Sequence, residues 1–133
     1  MERLTMLYQR QTTGSVKEAA ARVEKAVKDN QFGVMAIIDL RAKMAEKGVT
    51  FDHDCVILEV CNPKQAKKVL DADMTVSTSL PCRISVFEKD GQVTIAAVKP
   101  TLLIGMYEGG LSLQPVAEEV ERTIIRIIDT ATA

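Results

Sequence analysis

The sequence predicts an α+β fold. The expected architecture is a single layered domain over residues 1–133, with a five-stranded antiparallel or mixed sheet, two long helices on one face and two short helices inserted between strands. Three observations predict it. Apolar residues recur at helical spacing over residues 16–27 and again over residues 116–128. Between these stripes lie four β-rich segments, residues 32–40, 55–61, 82–88 and 92–98. The last two are separated only by Lys89-Asp90-Gly91, a tight hairpin signal that joins neighbouring antiparallel strands and disfavours a doubly wound parallel sheet.

Each element has its own local reason. Residues 4–12 mix polar and apolar side chains and suit an edge strand, with Met6, Tyr8 and Arg10 on one face and Leu7 and Gln9 on the other. Ser15-Val16-Lys17-Glu18 is a capping-box pattern. It opens an amphipathic helix whose Val16, Ala19, Ala20, Val23 and Val27 share a face and which ends before Gly33. The run from Phe32 to Leu40 is nearly continuous in apolar residues, as in a central strand. Asp39 suits an N-cap for a short helix over residues 40–47, closed by Gly48 and carrying Met44 inward. In residues 55–61, alternation places Val56, Leu58 and Val60 on one face and Cys55, Ile57, Glu59 and Cys61 on the other. Residues 63–70 read as a short helix with Ala66, Val69 and Leu70 inward and Lys64, Lys67 and Lys68 outward, followed by a loop to Ser79. A glycine-containing loop over residues 99–114 leads to a final helix starting near Pro115.

Two helices can cover only one sheet face. Ile57, Ile84, Val86 and Ile95 are candidates for the uncovered one, and so much apolar surface predicts a homodimer or a ligand groove there. Composition narrows the partners further. With 17 basic and 18 acidic residues the net charge is −1, so no global field draws the chain to nucleic acid, and no membrane partner is expected. No apolar run approaches the ~20 residues of a membrane-spanning helix. The first residues lack the pattern of a secretory signal, and three cysteines, an odd number, read as reduced thiols; the expected location is cytoplasmic.

Two proline-flanked cysteines stand out as candidate chemistry: Cys61 in Glu59-Val60-Cys61-Asn62-Pro63 and Cys82 in Leu80-Pro81-Cys82-Arg83. Asn62 followed by Pro63 reads as a helix N-cap and first helical residue, placing the Cys61 sulfur near the positive end of a helix, where a thiolate is stabilised. The plainer reading is a small buried residue at a strand–helix junction. Pro81 sets the start of the next strand, Cys82 either packs there or assists Cys61, and Arg83 faces away, available to an acidic group. Glu59, Asn62, Pro63, Pro81 and Arg83 are therefore the expected ligand contacts around this region. His53, the single histidine, stands in Phe51-Asp52-His53-Asp54-Cys55, but no paired zinc-ligand spacing accompanies it and no metal ligand is assigned. No serine or cysteine triad, dinucleotide fingerprint or phosphate loop is present; Gly105, Gly109 and Gly110 form either a flexible loop or a lid.

These motifs also carry a resemblance. The segment from Glu59 to Pro63, Ala66 and Val69-Leu70, Leu80-Pro81-Cys82-Arg83 and the strand into Asp90-Gly91 are similar to the family of domain of unknown function 302. The similarity extends back through Phe32-Gly33-Val34, Asp39-Leu40 and Lys47-Gly48-Val49. It implies a small α/β fold like the layered sheet of the TATA-binding protein, commonly dimeric, and brings no established activity; the fold likeness implies nothing about DNA. The expected function is thus a homodimeric domain that binds a small ligand on its sheet face or near Cys61 and Cys82. The alternative is a thiol-dependent redox or sulfur-handling protein with Cys61 as the reactive sulfur. A third reading is metal or haem binding through Cys61, Cys82 or His53.

Overall fold

Five strands form one antiparallel sheet in the order β1-β5-β4-β3-β2. The computed structural model describes residues 5–133, so the expected strand start at Leu4 lies outside the described residues. The strands are β1 (Leu7–Thr12), β2 (Gly33–Asp39), β3 (Cys55–Cys61), β4 (Cys82–Lys89) and β5 (Gln92–Val98). The helices are α1 (Val16–Asp29), α2 (Leu40–Glu46), α3 (Pro63–Ala72), α4 (Pro100–Ile104) and α5 (Gly110–Thr132), with a 3₁₀ helix over Met74–Ser79. The β4–β5 hairpin turns through Asp90 and Gly91, both at positive φ (54° and 77°), the two-residue turn that matches the twist of its strands.

The capping box of α1 forms as its residues dictate: the Ser15 hydroxyl accepts from the Glu18 N–H, and the Ser15 N–H donates to Glu18 Oε1 at 2.9 Å. Its stripe of Val16, Ala19, Val23, Ala26 and Val27 is buried against α5 and the sheet. From α5 come Ile124, Ile127, Ile128 and Ala131, and from the strands Leu58, Val60, Ile84, Val86, Val93, Ile95 and Ala97. Each valine, leucine or isoleucine among them, removed from water, contributes about 1.5–3 kcal/mol. One face of the sheet is therefore the core wall.

Which face that is corrects the sequence reading. Ile84, Val86 and Ile95 point into the helix layer and are fully buried rather than lining the open face. Ile57 does lie on the open side. There the register aligns Gln9, Ala96, Ser85, Ile57 and Ile38 in one cross-strand row and Gln11, Thr94, Phe87 and Cys55 in the next. Alternation assigned residues correctly to two sets; only the packing of α1 and α5 decides which set is covered.

Side chains tie the edge strand down. Asp129 of α5 accepts from the Tyr8 hydroxyl and from Arg10 Nη1 (2.9 Å). Arg22 of α1 donates to the Ala131 carbonyl (2.8 Å), to Thr12 Oγ1 (3.1 Å) and to the Thr13 carbonyl (2.8 Å), locking three chain segments together.

Three further expectations are corrected. The apolar run over residues 32–40, expected as a central strand, forms β2 at the edge of the sheet, paired only with β3. The expected loop at residues 71–79 holds the end of α3, which runs to Ala72, and the 3₁₀ helix over Met74–Ser79, capped by Asp73, whose carboxylate accepts from the Thr75 N–H at 2.9 Å. The expected loop at residues 99–114 contains α4, and α5 begins at Gly110, so Pro115 lies inside the helix instead of opening it. Pro115 is the sixth residue of α5 and removes the N–H that would pair with the Leu111 carbonyl, at a turn that is open to water, Leu111 being 88% exposed. A second apolar cluster of Val69, Val76, Ile104, Leu113 and Ala117 forms where α3, the 3₁₀ helix, α4 and α5 meet. Among the described residues no helix is long and apolar enough to cross a membrane.

Candidate functional site

The candidate site lies at the sheet end where β3 leaves for α3 and β4 begins. Asn62 caps α3 as its sequence requires: Oδ1 accepts from the backbone N–H groups of Lys64 (3.0 Å) and Gln65 (3.2 Å), and Pro63 is the first helical residue. Val60 of β3 stands directly opposite Cys82 of β4, and Glu59 opposite Arg83. The chain reaches Cys82 through a cis peptide bond between Leu80 and Pro81. The fourth wall is α4, which Pro100 starts immediately after β5. It is fastened to α5 by Glu121 Oε1, which accepts from Thr101 Oγ1 (2.7 Å) and its N–H (3.1 Å), and by Gln114 Nε2, which donates to the Thr101 carbonyl (3.0 Å).

Two adjoining clefts result, with Leu80, Cys82, Pro100 and Ile104 lining both. The larger has a volume of about 300 Å³. Val98 and Leu103 complete its apolar wall, and Thr78, Ser79 and Arg83 supply its polar rim. Tyr107 holds that rim in place, its hydroxyl hydrogen-bonded to the hydroxyls of both Thr78 and Ser79. The narrower cleft, about 60 Å³, runs between β3, α3 and α5. Its lining is almost wholly apolar, including Phe32, Val69, Ala117 and Val120, and Cys61, Asn62 and Gln65 are its polar members besides Cys82. Gln65 Oε1 is buried there without a hydrogen-bond partner.

The structure brings the two cysteines to one cleft but gives neither the environment of an activated nucleophile. Both are free thiols. Burial pushes the Cys61 thiol up, opposite to the direction expected from the helix N-terminus alone. Burial pushes Cys82 up to about 11, with the nearby Cys61 adding to the rise. The position of Cys61 before the α3 N-terminus therefore does not give it a lowered thiol pKa.

Cys82 therefore makes stability pH-dependent. Between the ordinary thiol value of 9.0 and about 11 the unfolded chain binds fewer protons than the native one. Stability is unaffected below that window and falls as pH rises through it, by roughly 3 kcal/mol when complete. Urea unfolding at about pH 8 and about pH 10.5 is expected to show about 2 kcal/mol of this loss in the native sequence and a much smaller one in Cys82→Ala. Equal losses in both proteins would mean that Cys82 is not the group responsible.

The remaining sequence candidates separate by position. Arg83 finds an acidic partner, its Nε donating to Glu59 Oε2 at 3.3 Å across the open face; the Arg83 side chain remains 69% exposed. An exposed pair of this kind contributes little to stability. Pro63 is exposed at the start of α3, and Lys64, Lys67 and Lys68 are solvated as expected, with Lys67 paired to Asp71 at 2.6 Å. His53 lies in the loop before β3, its ring edge-on to Phe51 at 5.5 Å. The six-residue rise of β3, about 20 Å, separates that end from Cys61. Among the described residues no group of three His, Cys, Asp or Glu side chains is placed to hold a metal ion.

Several lining residues escaped the sequence reading. Pro100 after β5 is the same helix-start signal as Pro63, and the apolar run Leu102-Leu103-Ile104 behind it fits a buried turn. Gln65 was also visible: helical spacing sets it on the same side as Val69, a polar residue on an inward face between outward lysines.

These features define a layered α+β domain with a small-molecule-sized apolar cleft at one end of its sheet. Residues 8–131 match the family described as Domain of unknown function DUF302, and the chain belongs to it. It is similar to the uncharacterized conserved DUF302 protein of Bacillus stearothermophilus known from a crystal structure. The two share 32% identity over 96% of this chain and 99% of that one, with a TM-score of 0.90. No curated protein matches the chain.

Proposed function

We propose that this protein is a binding module for a small, largely apolar molecule held in the paired clefts beside Cys61 and Cys82. The observation that carries the reading is the larger cleft: its volume of about 300 Å³ reaches the range of small-ligand sites, and its apolar wall faces a rim of two hydroxyls and a guanidinium. Such a wall with few polar groups orients a ligand without performing chemistry on it. The raised thiols favour this over the redox alternative, because a protonated buried cysteine serves as a packing surface. Metal or haem binding has less support than either, since His53 lies before the start of β3 and Cys61 at its far end. As expected contacts, Asn62 and Arg83 line the clefts with Pro81, whereas Glu59 reaches them only through Arg83.

The test uses 8-anilinonaphthalene-1-sulfonate, an apolar dye whose sulfonate suits the Arg83 rim. Saturable enhancement of its fluorescence at one site per chain is expected, with loss of most of the signal in Leu103→Trp, which fills the cleft. Dye binding that Leu103→Trp leaves intact would remove the reading. The second element of the proposal is a cytoplasmic homodimer built on the open sheet face, supported by the apolar side chains of Ile38, Ile57, Phe87 and Val98 that no helix covers. Sedimentation is expected to give a dimer for the native sequence and a monomer for Ile57→Lys. A native monomer would end that element.

A further inference from the structure

The larger cleft joins an apolar wall to one polar rim, and that rim bears on the class of ligand under the small-molecule reading above, on which this inference rests. Arg83 stands there with a guanidinium that is anchored but not saturated. Its Nε donates to Glu59 Oε2 at 3.3 Å, and among the described residues no group accepts from Nη1 or Nη2. The Glu59 side chain is only 18% exposed against 69% for Arg83, so the acid holds the base of the fork and the Nη groups face water. The hydroxyls beside Arg83 form a relay whose direction follows from counting protons. Thr78 Oγ1 donates to the Thr75 carbonyl at 2.8 Å, so toward Tyr107 it acts as an acceptor. The Tyr107 hydroxyl contacts both Thr78 and Ser79 and has one hydrogen to give. When that hydrogen turns to Ser79, the Ser79 hydroxyl is free to donate into the cleft, and water replaces the lost donor at exposed Thr78.

We infer that the ligand of the larger cleft is an apolar monocarboxylate, its hydrocarbon part against Leu80, Val98, Leu103 and Ile104 and its carboxylate bonded to the Nη groups of Arg83, with the Ser79 hydroxyl as a further donor. A planar carboxylate matches two guanidinium N–H groups at once. A neutral head group keeps hydrogen bonds to the same donors but loses their charge assistance, which roughly doubles their strength. A dianionic phosphate fits less well. Arg83 is the single charged residue lining the cleft and Glu59 already offsets its charge, so a second negative charge finds no partner.

Octanoate and octanamide, which share one chain and differ in head-group charge, test this by NMR titration at about pH 7 of the native sequence, Arg83→Gln, Ser79→Ala and Leu103→Trp. The expected result is that octanoate binds the native protein about tenfold more tightly than octanamide, and that Arg83→Gln removes the preference by weakening octanoate alone. Ser79→Ala is expected to weaken octanoate about threefold, and Leu103→Trp to abolish most binding of both probes. Arg83 is exposed, so Arg83→Gln is expected to fold as the native chain does, and the native comparison of acid with amide decides the matter in any case. Equal affinities for acid and amide, a preference that survives Arg83→Gln, or octanoate binding that neither Ser79→Ala nor Leu103→Trp weakens would overturn the inference. If the sulfonate dye and octanamide bind and Leu103→Trp abolishes both while the acid gains nothing, the small-molecule reading stands and the carboxylate falls; if dye, acid and amide all fail to bind, both fall.

Discussion

Gly110→Ala is expected to destabilise the protein by about 3 kcal/mol or more, among the largest effects of removing or adding a single methyl group anywhere in the chain. A β-carbon at position 110 falls 2.2 Å from the carbonyl oxygen of Ile104 and 3.1 Å from its carbonyl carbon. Both are backbone atoms of α4, which cannot rotate aside as a side chain would. Gly110 also donates its N–H to the Tyr107 carbonyl at 2.9 Å, so the turn cannot open without losing that bond. The neighbouring Gly109→Ala supplies the control. There the nearest atoms belong to the Asp73 side chain at 3.6 Å and φ is −81°, an ordinary value for any residue, so a change below about 1 kcal/mol is expected. Urea unfolding of the two variants reads the difference. Similar small effects from both would show that α4 and α5 do not approach as closely as described. Because Leu103, Ile104 and Pro100 wall the clefts, Gly110→Ala is also expected to weaken dye binding, whereas Gly109→Ala is not.

Ile84→Ala is expected to cost about 3–5 kcal/mol, against less than about 1 kcal/mol for Ile37→Ala. Ile84 lies on a central strand, fully buried between Leu58 and the helices, and truncation leaves a cavity that the close-packed core cannot collapse. Ile37 carries the same side chain on the outer strand β2 but is 50% exposed, so its removal forfeits little burial. Equal midpoint shifts in urea for the two variants would contradict the placement of Ile84 in the helix layer and revive the open-face position that alternation alone allowed.

Most of the local structure was legible because its causes are local. The α1 capping box, the Asp39 and Asn62 caps and the Asp90-Gly91 turn each depend on residues within three or four positions of one another, and each forms where the pattern places it. The Pro115 start failed for an instructive reason. Proline marks a first helical position by preference, but the true start at Gly110 goes with a close approach to α4, a contact made across the fold rather than along the chain.

The candidate site divides in the same way. Cys61 and Cys82 could be named from their proline-flanked settings, but that both line one cleft could not, because alternation sets Cys61 on the opposite face from Val60, the residue Cys82 stands against. Their chemistry could not be read from those settings. A helix N-terminus lowers a thiol pKa while burial raises it, and the winner depends on how much water the surrounding elements remove. Here burial raises the thiol pKa at both positions.

Periodicity, caps and turns thus sufficed for the order of the five strands and of α1, α2, α3 and α5, the hairpin, the two sets of alternating strand residues and the thiol-bearing seam, since each follows from the backbone preferences of neighbouring residues. The covered sheet face, the start of α5, the clefts and the isolation of the Gln65 oxygen were decided by tertiary packing. They depend on which surfaces α1, α4 and α5 bury, and burial is a property of segments distant in the chain that meet only in the folded protein.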